Sequence, residues 1–396
     1  MDMLERLHLQ VWSRFLHKPY GYLLDYADEK GNATIPTAQE CAQAMPNAAS
    51  YWTPIANGAF FTGLYVYALI AKYNLAPEAE TEKEIDILMG GLKLLQDVAK
   101  IDGFIARGVA DDGVSHYPFS SEDQVVPWVL AMDAYRRSKA CKDPHEIRQR
   151  MLKTLLAMKH YGWGIPTEIE GMVMGSWISS TSWRGVGKLL YCLRVLAELT
   201  ENPEDMAQYE MLRDSAPEGW IFSRKEMLSH GFSHCMVYQP NLEQSWIYLA
   251  AHLGLGELCR MDPENARYFA QGALLNGVTA LRKIDVMKSY DNVPGGFDMD
   301  WRKMAPYWKP VGEHIGEAIR YANQMGAVWR RDVVPHRNME HNILGFSLFY
   351  AWIAVTCGDA AVAALAKQKL MENAETINWE QLHLSFAFAA EAALIS

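Results

Sequence analysis

Apolar residues along the chain fall into two kinds of segment. The stretches GAFFTGLYVYALIA (58–71), QVVPWVLAMDAY (124–135), VGKLLYCLRVLA (186–197) and SWIYLAAHLGLG (245–256) are apolar nearly all round. So are NILGFSLFYAWIAV (342–355) and QLHLSFAFAAEAAL (381–394). Between them lie one-sided segments such as EKEIDILMGGLKLLQDVAK (82–100), EIRQRMLKTLLAMKHY (146–161) and AAVAALAKQKLMEN (360–373). A helix that is apolar all round is buried, and one with a single apolar stripe lies outside it. Inner and outer helices are therefore expected to alternate.

The helix starts repeat as well. Ala76-Pro77-Glu78, Asp143-Pro144, Asn202-Pro203-Glu204 and Asp262-Pro263-Glu264 share one grammar of a small or polar residue, proline and an acid. That is N-cap chemistry with proline in the first turn and acids at the positive end of the helix dipole. The prolines stand 67, 59 and 60 residues apart, a period that suits helical hairpins. The C-terminal segment 381–394 lacks an outer partner, and the N-terminal MLERLHLQVWSRFLHK (3–18) supplies one. The pattern thus predicts an all-α protein with a single domain over 1–396. Its fold is an (α/α)6 barrel, a toroid of six helical hairpins in which the N-terminal helix pairs with the C-terminal helix. A solenoid that stays open is the alternative.

Turns within hairpins are short, as at Tyr73–Ala76 and Cys357-Gly358. The long connections, at about 18–54, 100–121, 161–179, 216–240 and 284–337, all run from an outer helix to the next inner one. They are expected to crowd one rim, and loops of this length in a compact fold are usually functional. Polar residues open the inner helices at that rim: Asn57; Glu122-Asp123-Gln124; Ser180-Thr181-Ser182; Asn241 with Glu243-Gln244; Asn338 with Glu340-His341; and Glu380-Gln381 with His383. Capping explains part of each set, the serines above all. Six such starts around one funnel suggest a site.

Composition narrows the chemistry. Of 396 residues, half are apolar and about a fifth charged, with a net charge of −10. No lysine/arginine stripe is available for phosphates, so no nucleic-acid partner is expected. The longest nearly apolar run, Ile343–Val355, is too short to span a bilayer, and no membrane partner is expected. The 13 Trp and 19 Tyr suit stacking on sugar faces where they gather in loops. Six cysteines form no C-x-x-C pair and read as free thiols. With no signal peptide at the N-terminus, a cytoplasmic location is expected, or a periplasmic or secreted one if an export signal has been removed. Gly185–Lys188 is not embedded in phosphate-loop spacing, no G-x-S-x-G elbow exists, and His336–His341 and His230/His234 lack zinc spacing with a third ligand. No cofactor or metal is expected.

Segment 102–124 is the densest in candidate chemistry, with Arg107, His116, Tyr117 and Asp123. Asp123 leads a buried helix, and a partly desolvated carboxyl is what acid catalysis needs. At this point the chain resembles the six-hairpin glycosidase superfamily. The resemblance rests on Trp52-Thr53-Pro54, Asn57–Gly63, Gly103–Gly108 and Ser120–Gln124. Unsaturated-glucuronyl hydrolases are the nearest of its members, although their fuller signature around a second aspartate is absent. The resemblance implies a site at the rim where inner helices start, with carboxylates in acid/base roles.

The expected activity is that of a glycoside hydrolase on a short soluble oligosaccharide. Asp123 would be the acid and Glu243 or Glu340 its counterpart, since glycosidic cleavage needs one protonated and one ionised carboxyl. Trp52, Asn57, Arg107, His116, Tyr117, Trp177, Arg184 and His341 would bind the sugar. Two alternatives remain open. One is a lyase on a uronate-containing sugar, with His116 or Tyr117 as base and Arg107 neutralising the carboxylate. The other is a non-catalytic carbohydrate-binding toroid.

Overall fold

The computed structural model describes residues 1–174, 177–232, 245–293, 299–303, 324 and 339–396. Of the described residues, 62% are helical and 3% lie in strands. The helices are α1 (Met3–Gln10), α2 (Ala38–Ala42), α3 (Gly58–Leu75), α4 (Ala79–Asp97), α5 (Glu122–Arg137), α6 (Pro144–His160) and α7 (Trp183–Thr200). They continue as α8 (Pro203–Asp214), α9 (Arg224–Ser229), α10 (Ser245–Met261), α11 (Ala266–Leu281), α12 (Phe346–Val355), α13 (Ala360–Ala374) and α14 (Ala387–Ile395). Two two-stranded antiparallel ribbons decorate the connections, Leu16–His17 with Tyr22–Leu23 and Ile165–Pro166 with Val173–Met174.

Burial sorts the helices as the apolar pattern predicts. Nine of the ten residues of α12 are buried, Phe346 being the exception, whereas α13 buries only Ala366, Leu370, Asn373 and Ala374. Fully burying a large apolar side chain contributes roughly 1.5–3 kcal/mol, so helices such as α12 carry most of the core. The apolar helices touch in succession: α3 packs on α5, α5 on α7, α7 on α10, α10 on α12, α12 on α14, and α14 on α3. The one-sided helices lie against them, α4 on α3, α6 on α5, α8 on α7, α11 on α10, α13 on α12 and α1 on α14. Helices α3 and α5 pack closely. A Cβ on Gly63 would stand 2.6 Å from the backbone of Pro127, so only glycine permits that contact.

Helix starts match in part. Asp143 and Asn202 cap α6 and α8, with Pro144 and Pro203 at the first helical position. Pro77 and Pro263, by contrast, precede the caps of α4 and α11, which are Glu78 and Asn265. The last inner helix starts at Ala387 rather than Gln381. Its expected first turn runs extended instead, pairing Leu384 with Tyr26. Cys41, Cys141, Cys192, Cys259 and Cys357 are free thiols, and Cys235 lies outside the described residues. Among the described residues no helix is long and apolar enough to cross a membrane.

The terminal helices are joined by an ionic clamp. His8 of α1 sits with Nε2 3.0 Å from Glu84 of α4 and Nδ1 2.9 Å from Glu391 of α14, both carboxylates being buried. Glu391 also accepts the Tyr65 hydroxyl at 2.7 Å, which in turn accepts the Trp12 indole N–H at 3.2 Å. Burial alone would lower the His8 pKa, but hydrogen bonds and charge from Glu391 and Glu84 outweigh it and raise the value to about 10. The folded state therefore keeps a proton that the unfolded chain releases near pH ~6.5. The clamp contributes fully below that pH and is lost as pH rises towards 10. Native protein is thus expected to melt above His8→Gln at about pH 6, with the gap narrowing steadily on the alkaline side. Paired thermal melts across that range check this, and a gap that widened with pH would mean a neutral imidazole.

Candidate functional site

Three linked clusters occupy the starts of α3, α5 and α7. The first is built on Asn57, the residue before α3. As a cap its side chain would bond the helix, but it makes no such bond. Its backbone N–H and its Nδ2 both donate to buried Asp25, at 2.6 and 2.7 Å, and its Oδ1 accepts Gln124 Nε2 at 3.2 Å. Gln124 Oε1 then accepts the Phe60 N–H at 3.1 Å. An Asp25–Asn57–Gln124 chain thus ties the N-terminal segment to the starts of α3 and α5.

The second cluster surrounds Arg107, which is 1% exposed. Gly58 lets it approach, since a Cβ there would lie 2.5 Å from the Arg107 carbonyl oxygen. Its guanidinium donates to the Ala56 carbonyl at 2.8 Å and to the Ser121 hydroxyl, and stands 3.8 Å from the Asp123 carboxylate. Ser121 precedes α5 but donates its hydroxyl to Asp123 rather than capping. Tyr51 covers the guanidinium at 5.2 Å. Burial pushes the Tyr51 phenol up against the opposing charge of Arg107. Tyr51 sits in a strained connection in which Ala44, Ser50 and Trp52 all have positive φ. Each such residue costs of order 1–3 kcal/mol, and strain of this kind tends to gather at functional sites.

The third cluster surrounds Glu122, whose side chain is 27% exposed. One oxygen stands 3.2 Å from the Lys188 ammonium and 4.0 Å from Arg184. The other accepts the Trp177 indole N–H at 3.0 Å. Burial would raise this carboxyl, but the charges of Lys188 and Arg184 and the indole hydrogen bond hold it below the usual range. Lys188 is itself 1% exposed in the middle of an apolar helix. Consecutive residues of one helix start thus carry two carboxylates in different settings, one facing α7 and the other facing Arg107.

Beside these clusters lies a cavity of about 50 Å³. Phe60, Phe61, Trp246, Phe346, Phe349 and Phe386 line it, with Asn57 and His341 as its polar members among the described residues. Of the residues expected to share one pocket, Asn57 and His341 line this cavity. Asp123 and Trp177 lie in the neighbouring polar clusters instead, and Glu243 lies outside the described residues.

Other expected site residues have different duties. The ring nitrogens of His116 meet the Val114 carbonyl and Glu168, each at 3.0 Å. Tyr117 donates its hydroxyl to the Met45 carbonyl, and burial raises its phenol well above the ordinary value. Glu340 is 1% exposed and accepts the backbone N–H groups of His383 and Leu384, at 3.0 and 2.9 Å. Its carboxylate holds the extended segment before α14. Trp52 accepts the Tyr26 hydroxyl on its carbonyl at 2.9 Å. Asp25, Tyr51, Ser121 and Lys188 are the members that sequence reasoning missed. For Lys188 a signal existed, because lysine in a wholly apolar helix is almost never buried without a charged partner. Among the described residues no group of three or more His, Cys, Asp or Glu side chains could hold a metal ion. No model of a known protein family, no curated protein and no solved structure matches this chain.

Proposed function

We propose that the chain is an (α/α)6 toroid acting as a glycoside hydrolase at the rim where its inner helices start. The succession of contacts from α3 through α14 and back to α3 supports the closed ring. The observation that carries the function is the junction at Asn57. It lines the aromatic cavity and is also hydrogen-bonded, through Gln124, to the helix start that bears Glu122 and Asp123. Aromatic faces for a sugar and a pair of carboxylates in unequal environments are what glycosidic cleavage requires. Glu122, whose carboxyl Lys188 and Arg184 hold below the usual range, takes the base or nucleophile role, and Asp123 keeps the acid role expected of it from the sequence. Hydrolysis is favoured over elimination because His116 and Tyr117, the bases a lyase would use, are engaged elsewhere.

A non-catalytic sugar-binding role is the second reading. It is favoured by a cavity lining that carries no carboxylate among the described residues. A panel of oligosaccharides and aryl glycosides separates the readings. Hydrolysis yields new reducing ends without the ultraviolet absorbance of an unsaturated product. Elimination yields that absorbance, and binding with neither signal sinks the hydrolase.

A further inference from the structure

We infer that the aromatic cavity beside Asn57 receives the exocyclic hydroxymethyl arm of a neutral hexopyranoside. The substrates are then hexosides rather than pentosides, 6-deoxyhexosides or uronides; naming them substrates rests on the hydrolase reading, whereas the binding preference does not. Size comes first. The cavity holds about 50 Å³, more than the roughly 10–15 Å³ that one water needs and about a third of the roughly 150 Å³ that takes benzene. Six ring carbons in the larger space correspond to about two non-hydrogen atoms in this one. A pyranose ring is too large to enter, and so is an acetamido group. A hydroxymethyl arm, one carbon and one oxygen, matches. Four of the lining phenylalanines are buried, while Asn57, Trp246 and Phe346 are partly exposed. The cavity thus meets solvent along those three residues, and a sugar ring left at the mouth has the faces of Trp246 and Phe346 to lie on.

Polarity selects the same group. The indole N–H of Trp246 is buried, yet it meets no acceptor among the described residues. Buried donors are nearly always paired, and one left unpaired in a cavity wall marks where a partner arrives. Asn57 offers the complementary acceptor. Its Oδ1 takes Gln124 Nε2 at 3.2 Å, and a carbonyl oxygen has a second lone pair to give. One hydroxyl answers both, accepting from Trp246 and donating to Asn57, while its methylene lies against phenylalanine. A methyl group in its place leaves the indole N–H unanswered, and a pentoside leaves the space unfilled. A carboxylate fares worse. Among the described residues no lysine or arginine lines the cavity, Asn57 is already bonded to the Asp25 carboxylate, and ring faces repel an anion. The anomeric carbon lies three bonds from the arm, so holding the arm fixes where the scissile bond sits relative to the start of α5.

The test uses the whole protein and methyl glycosides in both anomers: glucosides, galactosides and mannosides, their 6-deoxy analogues, xylosides and glucuronides. Calorimetry follows binding, and the matching nitrophenyl glycosides follow cleavage. At least one hexoside is expected to bind, with its 6-deoxy analogue, the xyloside and the glucuronide each weaker by about tenfold or more. Trp246→Phe keeps an aromatic wall and removes the N–H. It is expected to weaken the hexoside about tenfold and to leave the 6-deoxy analogue within about threefold of native. The ranking in the native protein decides even if that variant does not fold. Equal binding of a hexoside and its 6-deoxy analogue, tighter binding of the xyloside or glucuronide, or no binding by any hexoside overturns the assignment. So does a Trp246→Phe variant that weakens hexoside and 6-deoxy analogue alike. The hydrolase reading fails separately. If hexosides bind in the expected order and none is cleaved, the arm pocket stands and the hydrolase falls. If glycosides are cleaved with no preference for the hydroxymethyl arm, only the pocket assignment falls.

Discussion

Glu122→Gln is expected to cost about 3–5 kcal/mol of stability, far more than an acid near a helix start ordinarily contributes. The reason lies in its partner. Lys188 is 1% exposed, and its ammonium stands 3.2 Å from the Glu122 carboxylate. A neutral amide leaves a buried cation uncompensated, whereas Arg184, 30% exposed on its side chain, can turn to water. The double variant Glu122→Gln with Lys188→Met removes both charges, and most of the loss is expected to return. The pH dependence follows from a depressed carboxyl pKa. Its contribution is complete above the unfolded value near ~4.3 and is lost as pH falls through the lower folded value. The difference between native protein and Glu122→Gln should accordingly shrink under acid conditions. Denaturant titrations of the native protein and the two variants decide the matter. A single-variant loss under about 1 kcal/mol, or no recovery in the double variant, would show that the pair is merely a surface contact.

The same lysine marks how far the sequence could be read. Alternation of wholly apolar and one-sided segments exposed the order of buried and outer helices, because burial follows side-chain period directly. The starts of α6 and α8 were equally legible, since an N-cap followed by proline is local chemistry that needs no tertiary partner. The start of α14 was not. Residues 381–386 lead into a helix-compatible apolar run, yet the backbone of 383–385 is captured from a distance. Glu340 takes the N–H groups of His383 and Leu384, the Asp25 carbonyl takes that of Ser385, and Tyr26 pairs with Leu384. Nothing near residue 383 announces these partners, which come from about 40 and 360 residues away. The site was half legible for the same reason. Helix starts pointed to Asn57, Glu122 and Asp123, while their partners Asp25, Arg107 and Lys188 reach them only through the fold. Arg107 and Trp177, expected to bind the sugar, stand against the carboxylates of Asp123 and Glu122.

Asp123→Asn tests the chemistry rather than the fold. The carboxylate accepts the Ser121 hydroxyl and lies 3.8 Å from Arg107, with 11% of its side chain exposed. Asparagine matches its size and can keep the Ser121 contact, and Arg107 retains the Ala56 carbonyl and Ser121. The stability loss should therefore be modest, about 1–3 kcal/mol for weakening a charge-assisted contact. Catalysis should suffer more. If Asp123 transfers the proton to the leaving group, its removal is expected to lower turnover by roughly 10²–10⁴-fold, about 3–5 kcal/mol in the barrier. A leaving group that needs no protonation escapes most of that penalty. Nitrophenyl glycosides should therefore be cleaved by the variant far better, relative to native protein, than oligosaccharides are. Ser121→Ala serves as the structural control, because it removes the hydrogen bonds that link this cluster to Asp123 and Arg107 while leaving the acid in place. Equal losses on both kinds of substrate, or a variant that melts early yet turns over normally, would assign Asp123 to holding Arg107 and move the acid elsewhere along the rim.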